Sequence, residues 1–75
     1  MVRCKFGGSI IKSAGYDALR ALLEIEFVSD GQVLQYSGVP EDVWYRLKCE
    51  SRPDCFFQRA IKGCYMENRV LAAQN

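Results

Sequence analysis

The alternating segment at residues 23–27 constrains the fold more than any other feature of this sequence. It reads Leu23-Glu24-Ile25-Glu26-Phe27, in which apolar and acidic residues alternate strictly. Successive side chains of a β-strand point to opposite faces, so the three apolar residues share one face and both glutamates lie on the other. The segment therefore predicts a strand with one buried face and one solvent-exposed face.

A hairpin is predicted directly after this strand. Asp30-Gly31 is typical of a two-residue type I′ turn, which needs positive φ at both central positions. The returning strand then covers residues 33–37 and places Leu34 and Tyr36 on the same apolar face. A three-residue turn with a bulge is the alternative.

The segment upstream of the hairpin predicts one further strand. Residues 9–16 contain two consecutive isoleucines, which favour β-structure. Gly7 and Gly8 interrupt any regular element before it, so we interpret residues 1–8 as a leader or a short edge strand.

Two helices are predicted after the sheet. Pro40 suits the first helical position, and the acidic residues that follow it complement the helix dipole. Ser51 and Asp54 have the spacing of a capping box, which predicts a second helix that ends near Lys62, with Gly63 after its C-terminus. The apolar positions recur at helical spacing: Val43, Trp44 and Leu47 in the first helix, and Phe57, Ile61 and Cys64 in the second.

The order of elements predicts the α+β class. A chain of 75 residues is bounded to one domain, and strands followed by helices are typical of α+β folds. We expect a three-stranded antiparallel sheet followed by two helices packed on one face (β-β-β-α-α). This domain covers residues 9–65, and residues 66–75 form a C-terminal tail or a short helical extension.

Several of these segments together resemble the KTSC domain family, a short domain found at the C-terminus of some lysyl-tRNA synthetases and as small stand-alone bacterial or phage proteins. The resemblance extends over about residues 9–65. It is carried by Ser13-Ala14-Gly15-Tyr16-Asp17, Leu23-Glu24-Ile25-Glu26-Phe27, Tyr36, Val39-Pro40, Phe56-Phe57, Ile61, Gly63 and Tyr65. The family has no established function, and the resemblance implies RNA binding only through the association with synthetases.

The sequence departs from the family pattern at two places. The family usually carries Tyr-x-Tyr in the middle strand, whereas Leu34-Gln35-Tyr36 keeps only the second tyrosine. A Gly-containing turn between the helices is replaced by Arg52-Pro53.

Charge is distributed unevenly along the chain. The net charge is +1, but residues 44–75 hold six basic and three acidic groups, whereas residues 1–43 hold four basic and six acidic ones. A basic surface beside aromatic rings is typical of proteins that bind single-stranded nucleic acid. The candidates for this role are Lys48, Arg52, Arg59 and Lys62, with Tyr36 and Tyr65 as stacking platforms. The alternative is that these are solvated helix faces and core rings.

A protein-interaction role is the competing hypothesis. A partner strand can pair with an exposed sheet edge, or a partner can dock on Trp44 and Tyr45, and homodimerisation by edge pairing is a special case.

Enzymatic chemistry has little support in the sequence. The chain contains no histidine, the commonest general base. Glu24 and Glu26 have a spacing that suits paired carboxylates, but we place them on a solvated sheet face. Cys55 near Arg52 is the candidate for a reactive thiol. We therefore expect a non-enzymatic protein without catalytic residues, metal or cofactor.

The cysteines and the N-terminus favour a cytoplasmic protein. The spacing of Cys4, Cys49, Cys55 and Cys64 fits zinc knuckles poorly, so we expect free and mostly buried thiols, with a disulfide or a metal site as alternatives. No signal peptide and no apolar run of membrane-spanning length is recognised. We therefore expect a cytoplasmic location and no membrane partner.

Overall fold

A five-stranded antiparallel sheet forms one layer of the protein, and the helices form the other. The computed structural model describes residues 3–70. The strands are β1 (Arg3–Lys5), β2 (Ile11–Asp17), β3 (Leu22–Phe27), β4 (Val33–Ser37) and β5 (Met66–Val70), paired in the order β1-β2-β3-β4-β5. The helices are α1 (Glu41–Cys49) and α2 (Pro53–Phe56), and α2 continues into one π-helical turn, here called the π-turn (Phe57–Ile61).

The alternating segment forms the centre of the sheet, as predicted. Leu23 pairs with Tyr36 across β3 and β4, and Ile25 pairs with Leu34. Leu23, Ile25 and Tyr36 are fully buried against the helices, because the period-two alternation directs them to the covered face.

The expectation of a three-stranded sheet is wrong. β1 adds to β2 through pairs such as Cys4 with Ala14, and β5 adds to β4 through pairs such as Tyr36 with Glu67. β5 is mostly polar and exposed, so it lacks the alternation that identified β3. It is held by the backbone groups of β4, which would otherwise form an unpaired edge, and such pairing leaves no local sequence pattern. Residues 71–75 of the expected tail lie outside the described residues.

The β3–β4 turn has the predicted position but a different geometry. Phe27 donates its N–H to the carbonyl of Gln32 (2.9 Å), which leaves a loop of four residues, 28–31. Only Gly31 in this loop has positive φ (+71°), so the type I′ turn and the three-residue alternative are both wrong. The Asp30 carboxylate instead accepts the N–H of Gln32 (3.1 Å).

The two helix starts differ from the predictions. Pro40 is the N-cap of α1 rather than its first residue, although the acidic first turn is confirmed. The capping box is wrong, because Arg52 is the N-cap of α2 and no side chain caps it. The Asp54 carboxylate bonds to another segment instead. Gly63 does follow the helix with positive φ (+81°).

The core lies between the sheet and the helices. Its aromatic rings pack in two groups: Tyr16 stacks on Trp44 at 5.9 Å, and Phe57 makes edge contacts with Phe27 and Tyr36, both at 5.6 Å. The Tyr16 hydroxyl donates to the carbonyl of Val39 (2.5 Å). Within residues 3–70, no helix has the length and apolar character needed to cross a membrane.

Candidate functional site

The Asp54 carboxylate joins the start of α2 to the first residue of β2 and the two residues before it. It accepts the N–H groups of three consecutive residues, Ser9 (2.8 Å), Ile10 (3.2 Å) and Ile11 (3.1 Å). Partial burial on its own raises the pKa of this carboxyl, but the hydrogen bonds outweigh it and hold the pKa below its usual value. This arrangement, here called the Asp54 clasp, fixes the helical layer against the sheet.

Gly8 is required by the clasp on steric grounds. A Cβ atom at this position would lie 2.5 Å from both carboxylate oxygens of Asp54. Gly8 therefore allows the close approach of a side chain rather than only interrupting a regular element. Beside the clasp lies an open cleft that Arg52 and Cys55 also line.

The four basic residues predicted as nucleic-acid ligands all lie in the helical layer. Lys48 is in α1, Arg52 precedes α2, Arg59 is in the π-turn and Lys62 follows it directly. All four side chains are exposed, and none makes a salt bridge with another described residue. We call these four residues the basic helical surface.

Lys48 connects this surface to two aromatic rings. Its ammonium lies 5.0 Å from the centre of the Trp44 ring and 4.7 Å from that of Tyr45. Trp44 is only 7% exposed and stacks on Tyr16, whereas Tyr45 is 51% exposed. Of the two predicted interaction residues, Tyr45 is thus the one with an accessible ring.

The two tyrosines proposed as stacking platforms differ from each other. Tyr65 is half-buried. Tyr36 is fully buried and offers no open ring face. Its hydroxyl donates to the Glu67 carboxylate on β5. Burial and, to a smaller extent, this hydrogen bond raise the pKa of Tyr36 above its usual value, and the phenol is neutral at pH 7.

A cavity of about 320 Å³ lies beside Tyr36, and we call it the Tyr36 cavity. The π-turn forms one of its walls: the N–H of Lys62 donates to the carbonyl of Phe57 (2.9 Å), five residues earlier. Such widened turns occur frequently at functional sites. The cavity is lined by Ile10, Phe27, Leu34, Tyr36, Phe57, Gln58, Lys62 and Glu67. It brings together two predicted site residues, Tyr36 and Lys62.

The sequence does not predict two of the residues that line this cavity, Gln58 and Glu67. Gln58 had no distinguishing signal, because it occupies a polar position within a predicted helix. Glu67 lies in the segment that the sequence predicts to be a tail, and the pairing of β5 with β4 brings it to the Tyr36 hydroxyl.

The remaining candidate groups are dispersed. The two acidic residues of β3 accept hydrogen bonds within the sheet: Glu24 from Gln35 (3.0 Å) and Glu26 from Ser13 (2.8 Å). The expectation of mostly buried thiols is wrong, because Cys4 is half-buried and the other three cysteines are exposed. Within residues 3–70, no three His, Cys, Asp or Glu side chains are grouped so that they could hold a metal ion.

Comparison with known proteins agrees with this architecture. No curated protein matches the chain. A crystal structure of a KTSC domain protein from Yersinia pestis superposes with a TM-score of 0.87 at 33% sequence identity, over 92% of this chain and 96% of that one. The family model described as the KTSC domain matches residues 8–65. The chain therefore belongs to the KTSC domain family.

Proposed function

We propose that this protein is a small, non-enzymatic binding module that binds single-stranded RNA through the basic helical surface. The observation that carries the proposal is that four exposed cations, none with an acidic partner among the described residues, lie in or next to the helices. By contrast, Arg46 is 4.0 Å from Glu50 and Arg20 is 3.7 Å from Asp17. A cation that forms no ion pair can contact a phosphate without first breaking one.

The aromatic rings near this surface support binding of a single strand. Tyr45 is exposed beside the Lys48 ammonium, and Tyr65 is half-buried just after the π-turn. Unpaired bases stack on such rings regardless of their sequence. A duplex would hide its base faces from these residues.

The number of cations sets the expected salt dependence. For a single strand the slope of log K against log[salt] is about −0.7 per phosphate neutralised. Four contacts then give a slope of about −2.8, so binding should weaken about 50-fold between about 50 and 200 mM salt.

The test is fluorescence anisotropy with a labelled single-stranded RNA at these salt concentrations. The double variant Arg52→Ala/Arg59→Ala should bind more weakly and show about half the salt slope. The matched control is Lys5→Ala/Lys12→Ala, which removes the same charge from the exposed lysines beside Glu26, next to a separate cavity. Absence of binding at about 50 mM salt and micromolar protein, or equal weakening in both variants, would refute the proposal.

A protein-interaction role is the second candidate. The sheet order leaves one side of β1 and one side of β5 unpaired within the described residues, and Tyr45 provides an exposed ring. Such an edge can accept a strand from a partner or from a second copy. Light scattering would detect a homo-oligomer, and a pulldown that is resistant to nuclease but lost with Tyr45→Ala would identify a protein partner.

A further inference from the structure

The Tyr36 cavity combines an apolar interior with polar groups at its rim. Ile10, Phe27, Leu34 and Phe57 provide the apolar lining, while Gln58, Lys62 and Glu67 provide an amide, a cation and a carboxylate. An apolar cavity with a few convergent polar groups is typical of a site for a small planar ligand. Its volume of about 320 Å³ leaves room for one nucleobase.

The opposite charges in this cavity do not neutralise each other. Lys62 and Glu67 line the same space, yet no salt bridge joins them. One carboxylate oxygen of Glu67 accepts the Tyr36 hydroxyl. The other has no hydrogen-bond partner among the described residues. A ligand that presents N–H donors at one end and a negative charge at the other would match both groups.

We propose that the Tyr36 cavity receives one unstacked base of the RNA, with a preference for guanine, which Glu67 recognises through its Watson–Crick edge. This inference rests on the proposed function and names the base that the binding surface selects. Lys62 belongs both to the cavity and to the basic helical surface, so RNA bound at Lys62 lies next to the cavity. Sequence-specific RNA recognition commonly uses such splayed-out bases.

The preference for guanine follows from the carboxylate. Guanine presents two adjacent N–H donors, N1–H and the 2-amino group, on one edge, and a carboxylate accepts both. Adenine and cytosine present one amino group beside a ring nitrogen acceptor, which a carboxylate repels. Uracil presents a single N–H between two carbonyl oxygens. The expected order is therefore guanine first, adenine and cytosine next, and uracil last.

The Tyr36 hydroxyl holds Glu67 in place without competing for the base. It is neutral and donates its proton to one carboxylate oxygen, which leaves acceptor capacity on both oxygens. Tyr36 is thus a positioning residue, and Glu67 is the residue that contacts the ligand.

The experiment compares three eight-nucleotide RNAs in anisotropy titrations: all uridine, uridine with one central guanosine, and uridine with one central inosine, which lacks the 2-amino group. We expect the guanosine RNA to bind about tenfold more tightly than all-uridine RNA. The inosine RNA should fall between the two.

Two matched variants assign the preference to the cavity. Glu67→Gln keeps an oxygen that accepts the Tyr36 hydroxyl but loses the carboxylate, so it should bind all three RNAs with similar affinity and retain the salt slope. Glu26→Gln removes the same charge from the opposite face of the sheet and should keep the tenfold ratio.

The outcomes separate the two proposals. If all three RNAs bind equally to the unmodified protein, or if Glu67→Gln keeps the preference, the base site is refuted and RNA binding by the basic helical surface stands. If none of the RNAs binds at about 50 mM salt, the proposed function is refuted as well.

Discussion

Replacement of Asp54 by alanine removes one carboxylate that serves three consecutive backbone N–H groups. These bonds are 2.8, 3.2 and 3.1 Å long and join the start of α2 to residues 9–11 at the start of β2, more than 40 residues away in sequence. A hydrogen bond to a charged group contributes about 1.5–3 kcal/mol. Because this site is partly exposed, water replaces some of the lost bonds, and we expect Asp54→Ala to cost about 2 kcal/mol in total. For a domain of this size that lowers Tm by roughly 8–16 °C.

The cost of Asp54→Ala should depend on pH. The pKa of Asp54 is lower in the folded protein than its usual value of 3.8, so its contribution is complete above about pH 4 and is lost as the pH falls through the folded pKa. The difference in unfolding free energy between wild type and variant should therefore be largest near neutral pH and shrink below about pH 4.

Urea unfolding followed by tryptophan fluorescence measures this difference. Trp44 is the only tryptophan and is buried against Tyr16, so its emission reports loss of the core. The control is Asp30→Ala, whose carboxylate accepts a single backbone N–H and which should cost less than about 1 kcal/mol. A difference for Asp54→Ala below about 0.5 kcal/mol at pH 7, or one that does not change with pH, would refute the role of the clasp.

Gly8→Ala tests the same contact from the other side. Its Cβ would lie 2.5 Å from both Asp54 oxygens, so this substitution should displace the carboxylate. Once Asp54→Ala has removed that carboxylate, adding Gly8→Ala should cost little. Strictly additive costs in the double variant would contradict the steric explanation.

Three further predictions concern other positions. Ala21 has φ of +52°, a conformation that costs an L-residue about 1–2 kcal/mol, so Ala21→Gly should stabilise the protein by up to about 1 kcal/mol in the same urea assay. Tyr36→Phe should cost about 1–2 kcal/mol of unfolding free energy and speed hydrogen exchange in β5, because the hydrogen bond to Glu67 is lost. Burial and that bond raise the pKa of Tyr36, so the wild type should lose stability above about pH 10 as the phenol of the unfolded chain ionises, and the variant should lack this loss. A thiol reagent should modify Cys4 more slowly than the three exposed cysteines, and equal rates would contradict its partial burial.

The central sheet could be predicted because its residues carry their own pattern. The alternation predicts that Leu23, Ile25 and Tyr36 share one buried face, and all three are fully buried. The edge strands could not be predicted in this way. β5 is held by pairing with β4 and by the bond from Tyr36 to Glu67, neither of which is local in sequence. Tertiary context overrides propensity at such positions.

The sequence predicts only part of the candidate site, because the rest depends on contacts between segments that are distant in sequence. Basic residues on helices are exposed by default, so the positions of Arg59 and Lys62 followed from the amphipathic pattern. The sequence predicts a helix cap at Asp54, because its spacing after Ser51 is that of a capping box, whereas the structure shows that it binds residues 9–11 instead. The π-turn has no sequence signature in residues 57–61, and it ends directly before Lys62, which lines the Tyr36 cavity.

An NMR titration of the labelled protein with a single-stranded RNA at low salt tests the role of the basic helical surface most directly. We expect amide shifts concentrated from α1 through the π-turn to Lys62, with smaller changes across β1 and β2. Shifts that instead cluster on the uncovered face of the sheet, or a spectrum unchanged at micromolar protein and excess RNA, would contradict binding through the helical layer.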